Sequence, residues 1–472
     1  MNVKELKYVY FVGIGGIGMS ALARYFNFYG KTVAGYDRTE SPLTQTLSSE
    51  GIAIHYVDSK TNIPAEVKTI ANKHQVLVVY TPAIPKDSEE LNFFFSNGFT
   101  VMKRSQVLGL IIKDKRGIAI AGTHGKTSVT TTTAHLLKQS TIDCSAFLGG
   151  ISKNYQTNFL FSKDSDYVVV EADEYDRSFH QLFPEIAVVT AMDADHLDIY
   201  GTHAAVIESF YQFMKQITTG GTLILKQGLN IDPIQDILYN HAVTVFSYSF
   251  DNIASDFHAF NIRKIEGAYL FDIKTPTSVI ANISFNLPGP VNIENSVAAA
   301  AVAYCCDMSS EEIAAGLASF YGVKRRFDYH LKTDSVVYID DYAHHPEEIK
   351  ACLTAIRDFY PTKKITTIFQ PHLFSRTQDF AAEFAESLSL CDELLLLDIY
   401  PAREKPIEGV TSKIIFKNVH CKEKSLITKD EILSLLAEKK IEVLLTVGAG
   451  DVDNYCERIK ELLTNKLVQK IC

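Results

Sequence analysis

A chain of 472 residues with 46% hydrophobic and 22% charged residues can bury several cores, enough for two to four domains. Its net charge of −10 argues against a nucleic-acid partner, and no apolar run reaches the length of a membrane span. Eight cysteines without a CxxC pair argue against a disulfide or zinc framework and imply reduced thiols in a cytoplasm; MNVKELKYVYFVG shows no signal-peptide pattern.

In chain order, YVYFVG is expected as a buried strand, ALARYFNFYG as a helix, and KTVAGYD and QVLVVYT as two further strands. This βαβ alternation implies a parallel sheet. KRSQVLGLIIKDKRG carries charge and is followed by a fresh strand, GIAIAG, so a first boundary is expected near residue 106. DYVVVEAD, PEIAVVTAMD and GTLILKQ continue the alternation, residues 245–285 read as inserted short antiparallel strands, and IENSVAAAAVAY reads as a helix. YGVKRRFDYH is expected to link to a third unit holding VVYIDDYAHHPEEIKACLTAI, KITTIFQPH, ELLLLDIYPA and VLLTVGAGD. The expectation is an α/β chain of three domains, 1–105, 106–322 and 323–472. The first and third are expected to be Rossmann-like, and the central one to be like a P-loop ATPase.

Two glycine-rich loops follow strands. GIGGIG is a GxGxxG match through Gly13, Gly15 and Gly18, with Gly16 and Ile17 inside it and Asp37 about twenty residues on. Read alone it suggests a nicotinamide oxidoreductase. Glycines before a helix N-terminus hold any diphosphate, however. The second loop, AGTHGKTS, lacks the first glycine of the usual phosphate loop, which falls at Ile120. Its working parts remain. Gly122, Thr123, His124 and Gly125 turn backbone N–H groups toward phosphate, Lys126 reaches the β- and γ-phosphates, and Thr127, followed by Ser128, offers a hydroxyl to Mg²⁺. Carboxylates gather after the next strands: Glu171, Asp173, Glu174 and Asp176, then Asp193, Asp195, His196 and Asp198. Hard cations want oxygen ligands, so Thr127, Glu171 and His196 form a candidate metal set. Solvated loop acids are the plain alternative, and the neighbouring phosphate loop weighs against it.

AGTHGKTS, EADEYDRSF, AMDADHLDIYG, GVKRRFD and DDYAHHPEEI, in this order, resemble the Mur ligases, ATP-dependent enzymes that join amino acids to a cell-wall precursor. The resemblance spans nearly the whole chain. It implies ATP as co-substrate with Lys126 on the γ-phosphate, and Mg²⁺ at two sites, one on Thr127 and Glu171 and one on His196. It implies Asn292 and Asn295 near the adenine, and Arg325 with Asp340 or Asp341 reaching the nucleotide as the third domain closes. His344 and Arg376 match positions around the incoming amino acid. The glycine loop would take the UDP of UDP-N-acetylmuramate, with Asp37 close to the uridine. GIGGIGMS and the third-domain string favour addition of one amino acid, L-alanine, over addition of a whole peptide in wall recycling. His344, His345 or Glu174 would take the amine proton. Several relatives carry a carbamylated lysine where this chain reads ADHLD, so no modified lysine is expected.

The chain departs from the family at two places. Pro290 and Val291 stand where many members have Arg and His, and Leu373 stands where many have Arg, leaving Arg376 to carry more of the carboxylate contact. A dehydrogenase leaves the second phosphate loop unexplained, and a nucleotide-binding scaffold leaves the metal loops and DDYAHHPEEI idle.

Overall fold

The computed structural model describes residues 3–265, 268–402 and 404–471. The first sheet contains Tyr8–Val12 (β1), Thr32–Tyr36 (β2), Ala53–His55 (β3), Val76–Tyr80 (β4) and Thr100–Lys103 (β5). All pair in parallel, in the order β3-β2-β1-β4-β5. YVYFV and VLVVY are apolar almost throughout because both faces of the sheet are covered. Strand order reverses at β1, so GIGGIG leaves the sheet at the point where open α/β sheets bind ligands.

The second sheet has ten strands. They are Arg116–Ala121 (β6), Ser145–Phe147 (β7), Phe159–Leu160 (β8), Tyr167–Glu171 (β9), Ile186–Val189 (β10), Thr222–Lys226 (β11), Thr244–Ser249 (β12), Phe257–Ile265 (β13), Ala268–Lys274 (β14) and Val279–Phe285 (β15). Their order is β15-β14-β13-β12-β11-β10-β6-β9-β7-β8. One expectation fails here. β12 was assigned to an antiparallel insert, but it pairs in parallel with β11 and with the start of β13. Phe257 is buried against Phe246 and Tyr304, with ring centroids 5.7 and 5.3 Å apart, and this packing brings β13 alongside the end of β12. The first expected boundary, near residue 106, falls within a helix, Arg104–Ile112.

The third sheet contains Asp328–Lys332 (β16), Val337–Asp341 (β17), Ile365–Phe369 (β18), Glu393–Leu396 (β19), Glu423–Leu426 (β20) and Val443–Val447 (β21). Its order is β16-β17-β21-β18-β19-β20, parallel except for β16. Contacts divide the chain into two compact units. One comprises residues 1–262, 270–284 and 294–320; the other comprises 263–269, 285–293 and 321–472. No helix among the described residues is long and apolar enough to cross a membrane.

Candidate active site

β6 lies between β9 and β10, so the loop after it meets the ends of both. Ile120, at the absent glycine position, is fully buried within β6, and the turn begins after it. Gly122 has φ +138° and Gly125 has φ +84°. A Cβ at Gly122 would stand 2.0 Å from Thr190 Oγ1, and one at Gly125 would stand 2.9 Å from Asn295 Oδ1. Angle and space both demand glycine. The same contact puts the expected adenine-side residue Asn295 against the phosphate loop. Helix Lys126–Gln139 starts where the loop ends, with Thr127 buried and Ser128 half-buried in its first turn. Its positive end faces the loop's own turn. The Thr123 hydroxyl lies 3.4 Å from Asp193 Oδ2, and His124 Nε2 lies 3.8 Å from the same oxygen.

Lys126 Nζ donates to the Gly122 carbonyl at 2.6 Å and to Glu174 Oε1 at 2.8 Å. Burial alone would lower the Lys126 pKa, but the carboxylates of Glu174, Glu171 and Asp173 hold it above its ordinary value. Burial raises the Glu174 carboxyl, and Lys126 opposes that rise. His196 Nε2 lies 3.8 Å from Glu174 Oε1 and 3.7 Å from Asp195 Oδ2, on a left-handed backbone with φ +54°. Glu174, Asp195 and His196 bring ligand atoms within 4.8 Å of one another. The side chain of Asp198 lies outside the described part of the structure.

Two buried oxygens in this cluster, Glu171 Oε2 and Glu174 Oε2, have no hydrogen-bond partner among the described residues. A buried carboxylate oxygen facing no donor is costly, and a cation would remove that cost. Hard oxygens with one imidazole fit a divalent ion such as Mg²⁺. Glu174, expected from sequence as one candidate for proton transfer, also pairs with Lys126 and lies beside His196. Gly149 was missed: a Cβ there would sit 1.9 Å from Glu171 Oε2, so that carboxylate needs a glycine beside it. No spacing in the sequence signals this pairing.

The first glycine loop spends most of its amides on itself. Gly13 and Ile14 donate to the Tyr36 carbonyl at 2.8 and 3.0 Å, and Gly16 donates to Gly13 at 3.4 Å. Gly15 donates to Asp37 Oδ2 at 2.7 Å, so Asp37 holds the loop directly, and its other oxygen accepts from the Thr39 amide. The amides of Ile17 and Gly18, in the first turn of helix Ile17–Phe28, come after these bonds. A cavity of about 230 Å³ runs from this turn past Thr81, Arg104 and Phe147 to Gly149, Glu171 and Asp173. The structure thus joins the glycine loop to the carboxylate cluster through one cavity. Arg104, which sits over Gly18 and pairs with Asp173 at 3.0 Å, belongs to no motif, and the sequence offered no signal for it.

In the other unit, the C-terminal ends of β17, β21 and β18 converge. Arg325, with φ +63°, contacts Asp340 Oδ2 and Asp453 Oδ2, each at 3.2 Å, and donates to the Gly448 carbonyl at 2.5 Å. Asp340 also accepts from Thr446 Oγ1 at 2.6 Å. Asp341 accepts from the amides of Phe327 at 2.7 Å and Ala343 at 2.8 Å, and burial pushes its carboxyl up to about 6. These three groups therefore brace the entrance of the unit. The neighbouring Arg326, absent from the sequence reading, has its guanidinium over the Tyr342 ring at 5.4 Å and no ion pair among the described residues. His344 Nδ1 lies 3.0 Å from the Tyr342 carbonyl, which only accepts, so Nδ1 carries the proton and Nε2 is the basic nitrogen. Burial, together with the charges of Arg376 and Arg326, lowers the His344 pKa against the pull of Glu348. Arg376 lies in helix Phe374–Asp379 with no ion pair among the described residues. Leu373, just before it, has φ +70°, an uncommon angle for a branched side chain. Asn292 Nδ2 donates to the Pro288 carbonyl at 2.6 Å, tying down the turn that starts helix Pro290–Cys305.

Three family matches tile the chain: the Mur ligase family catalytic domain over residues 8–116, the Mur ligase middle domain over 120–303, and the Mur ligase glutamate ligase domain over 325–450. The UDP-N-acetylmuramate–L-alanine ligase of Phocaeicola vulgatus is 52% identical over 467 residues, covering 99% of this chain and 100% of that protein. The crystal structure of a UDP-N-acetylmuramate-alanine ligase from Thermotoga maritima superposes with a TM-score of 0.80 at 25% identity, over 97% of this chain and 99% of that one. A murein peptide ligase from Psychrobacter arcticus shares the fold with a TM-score of 0.70 at 22% identity, over 97% and 99%.

Proposed function

The chain belongs to the Mur ligase family, and from that premise we propose that it joins L-alanine to the lactyl carboxylate of UDP-N-acetylmuramate with consumption of ATP. The observation that carries this reading is the continuity of the cavity. It begins at a diphosphate-type glycine loop and ends at Glu171 and Asp173, beside the lysine of the phosphate loop. A sugar nucleotide lying along it would present its carboxylate to the γ-phosphate of ATP.

A carboxylate resists attack by an amine because of its own charge. Phosphoryl transfer turns it into an acyl phosphate with a good leaving group. The lactyl carboxylate attacks the γ-phosphorus, ADP leaves, the alanine amine attacks the acyl carbon, and phosphate departs. In this scheme Lys126 leaves Glu174 for the γ-phosphate, and the amides of Gly122, His124 and Gly125 cradle the phosphates, that of Thr123 being given to the Ala191 carbonyl. Thr127 and Glu171 would hold one Mg²⁺, and His196 with Glu174 and Asp195 a second; when bound, the ions neutralise charge on the transferring group. His344 Nε2, neutral at physiological pH, would accept the ammonium proton of alanine, and Arg376 would hold its carboxylate. Arg326, whose guanidinium forms no ion pair among the described residues, suits the nucleotide better than Arg325.

We assign UDP-sugar binding to residues 1–105, ATP binding to 106–322 and amino-acid binding to 323–472. The cytoplasm, where ATP is held, is the compartment this reaction needs. The hydride-transfer and peptide-recycling alternatives are not favoured by the relatives found.

The test is phosphate release from ATP and Mg²⁺ by the purified protein with UDP-N-acetylmuramate and each amino acid supplied singly. Release with L-alanine, plus a mass gain of one alanyl residue on the sugar nucleotide, is the expected result. Release only with a tripeptide overturns the choice of acceptor. Oxygen-18 placed in the lactyl carboxylate should appear in the released phosphate; label that stays behind rules out the acyl phosphate.

A further inference from the structure

The cavity poses an electrostatic problem. Its walls carry two carboxylates, Glu171 and Asp173, and a single cationic side chain, Arg104. The proposed substrate is a diphosphate that also carries a carboxylate, so acidic walls would repel it. The glycine loop does little to offset this, since Gly13, Ile14, Gly15 and Gly16 already donate their amides within the protein. The amides left in the first helical turn bring only partial charge.

Arg104 stands where the missing charge is needed. It opens helix Arg104–Ile112, and a Cβ at Gly18 would lie 2.5 Å from its Nη1, so the guanidinium covers the first turn of helix Ile17–Phe28. Glycine at 18 leaves the room for it. On the other side Nη2 donates to Asp173 Oδ2 at 3.0 Å, while Asp173 Oδ1 accepts from the Tyr175 amide at 3.1 Å. Asp173 thereby fixes the fork and the loop that sets Glu174 against Lys126. A planar guanidinium held on one edge keeps other N–H groups for a bidentate phosphate contact.

We infer that Arg104 is the diphosphate anchor of the sugar-nucleotide cavity and that Asp173 is its positioning residue. This rests on the reading of the cavity given above and deepens it by naming the group that binds the substrate's diphosphate. Asp173 lies next to Glu174, so the anchor and the phosphate loop share one short segment.

The experiment measures steady-state kinetics of wild type, Arg104→Gln, Arg104→Lys and Asp173→Asn, with inhibition by UDP alone as a second readout. Arg104→Gln should raise KM for UDP-N-acetylmuramate and Ki for UDP together by at least about tenfold, the scale of one charge-assisted hydrogen bond. KM for ATP should stay within about twofold, since the nucleotide's phosphates lie on Lys126. Arg104→Lys should recover part of the loss, because it keeps the charge and loses the fork. Asp173→Asn should weaken UDP less than Arg104→Gln does. An unchanged Ki for UDP in Arg104→Gln or Arg104→Lys overturns the inference while an active wild type leaves the ligase reading standing. A wild type that forms no alanyl product but binds UDP through Arg104 overturns only the ligase reading. If Arg104→Gln does not fold, judged by its melting curve, the Ki for UDP of Arg104→Lys decides.

Discussion

Lys126 is held in advance by Glu174, a carboxylate that is 1% exposed. Removing the lysine leaves that buried acid without its partner as well as the phosphate without its cation. Lys126→Ala should therefore lower kcat by about a thousandfold or more, the scale seen when a charge on a transferring phosphoryl group is lost. The Ki for UDP should barely change, because neither Arg104 nor the first glycine loop is among the contacts of Lys126. Arg376→Ala should raise KM for alanine well above any change in KM for ATP; equal changes in both would move Arg376 out of the amino-acid pocket. His344 carries the sign for pH. Its lowered pKa keeps Nε2 deprotonated at and somewhat below the ordinary imidazole value of 6.5. The acid limb of kcat/KM for alanine should accordingly lie below pH 6.5 and disappear in His344→Gln. At this scale, spacing in the sequence picked out residues that the fold gathers, Lys126 beside Glu171 and His196 beside Glu174. The sequence was not legible where partners meet from distant segments. Two adjacent arginines look alike as letters, and only the acids Asp340 and Asp453 reveal that Arg325 is ion-paired, whereas Arg326 forms no ion pair among the described residues.

At the scale of elements, three strand ends do the positioning. β6, β9 and β10 are neighbours, so loops far apart in the chain become one site. Gly149 belongs to this scale because it makes room for a residue that ends a strand. Gly149→Ala should push the Glu171 carboxylate aside and raise the Mg²⁺ concentration needed for half-maximal rate, with a melting temperature lowered by only a few degrees, consistent with about 1–2 kcal/mol of overpacking. Titration of activity with Mg²⁺ checks this. Most strands were readable from runs such as VYFV and VLVV, which are buried on both faces. Helix Arg104–Ile112 and the parallel pairing of β12 were not. A short apolar run fits helix or strand equally well, and β12 finds its neighbour through Phe257, a contact that local turn grammar does not encode.

For the whole molecule, stability has a pH dependence that can be assigned. His135 is buried in helix Lys126–Gln139, with Tyr155 Oη at 3.0 Å and Ser319 Oγ at 2.9 Å from its ring nitrogens. Burial holds its pKa down at about 4. Its folded value lies below its unfolded value, so the unfolded chain binds the extra proton between pH 6.5 and 4. Stability present above pH 6.5 should thus be lost as pH falls through that window, with a slope from this one group approaching about 1.4 kcal/mol per pH unit. Denaturant melts of wild type and His135→Gln across pH 4–7 should converge at the acid end. The three α/β layers were legible from alternation alone. The grouping of the first two sheets into one compact unit was not, because it depends on packing between segments that no periodicity connects.

Gly122 bears on how such an enzyme could escape an inhibitor. Every single-base change in a glycine codon that is not silent either adds a side chain or ends the protein. At φ +138°, with Thr190 Oγ1 2.0 Å from where a Cβ would be, no such side chain fits. A compound that draws its affinity from the main chain of this turn would therefore press on a surface that mutation cannot reshape while the enzyme still works. Resistance would have to come from residues further out, where the geometry leaves alternatives.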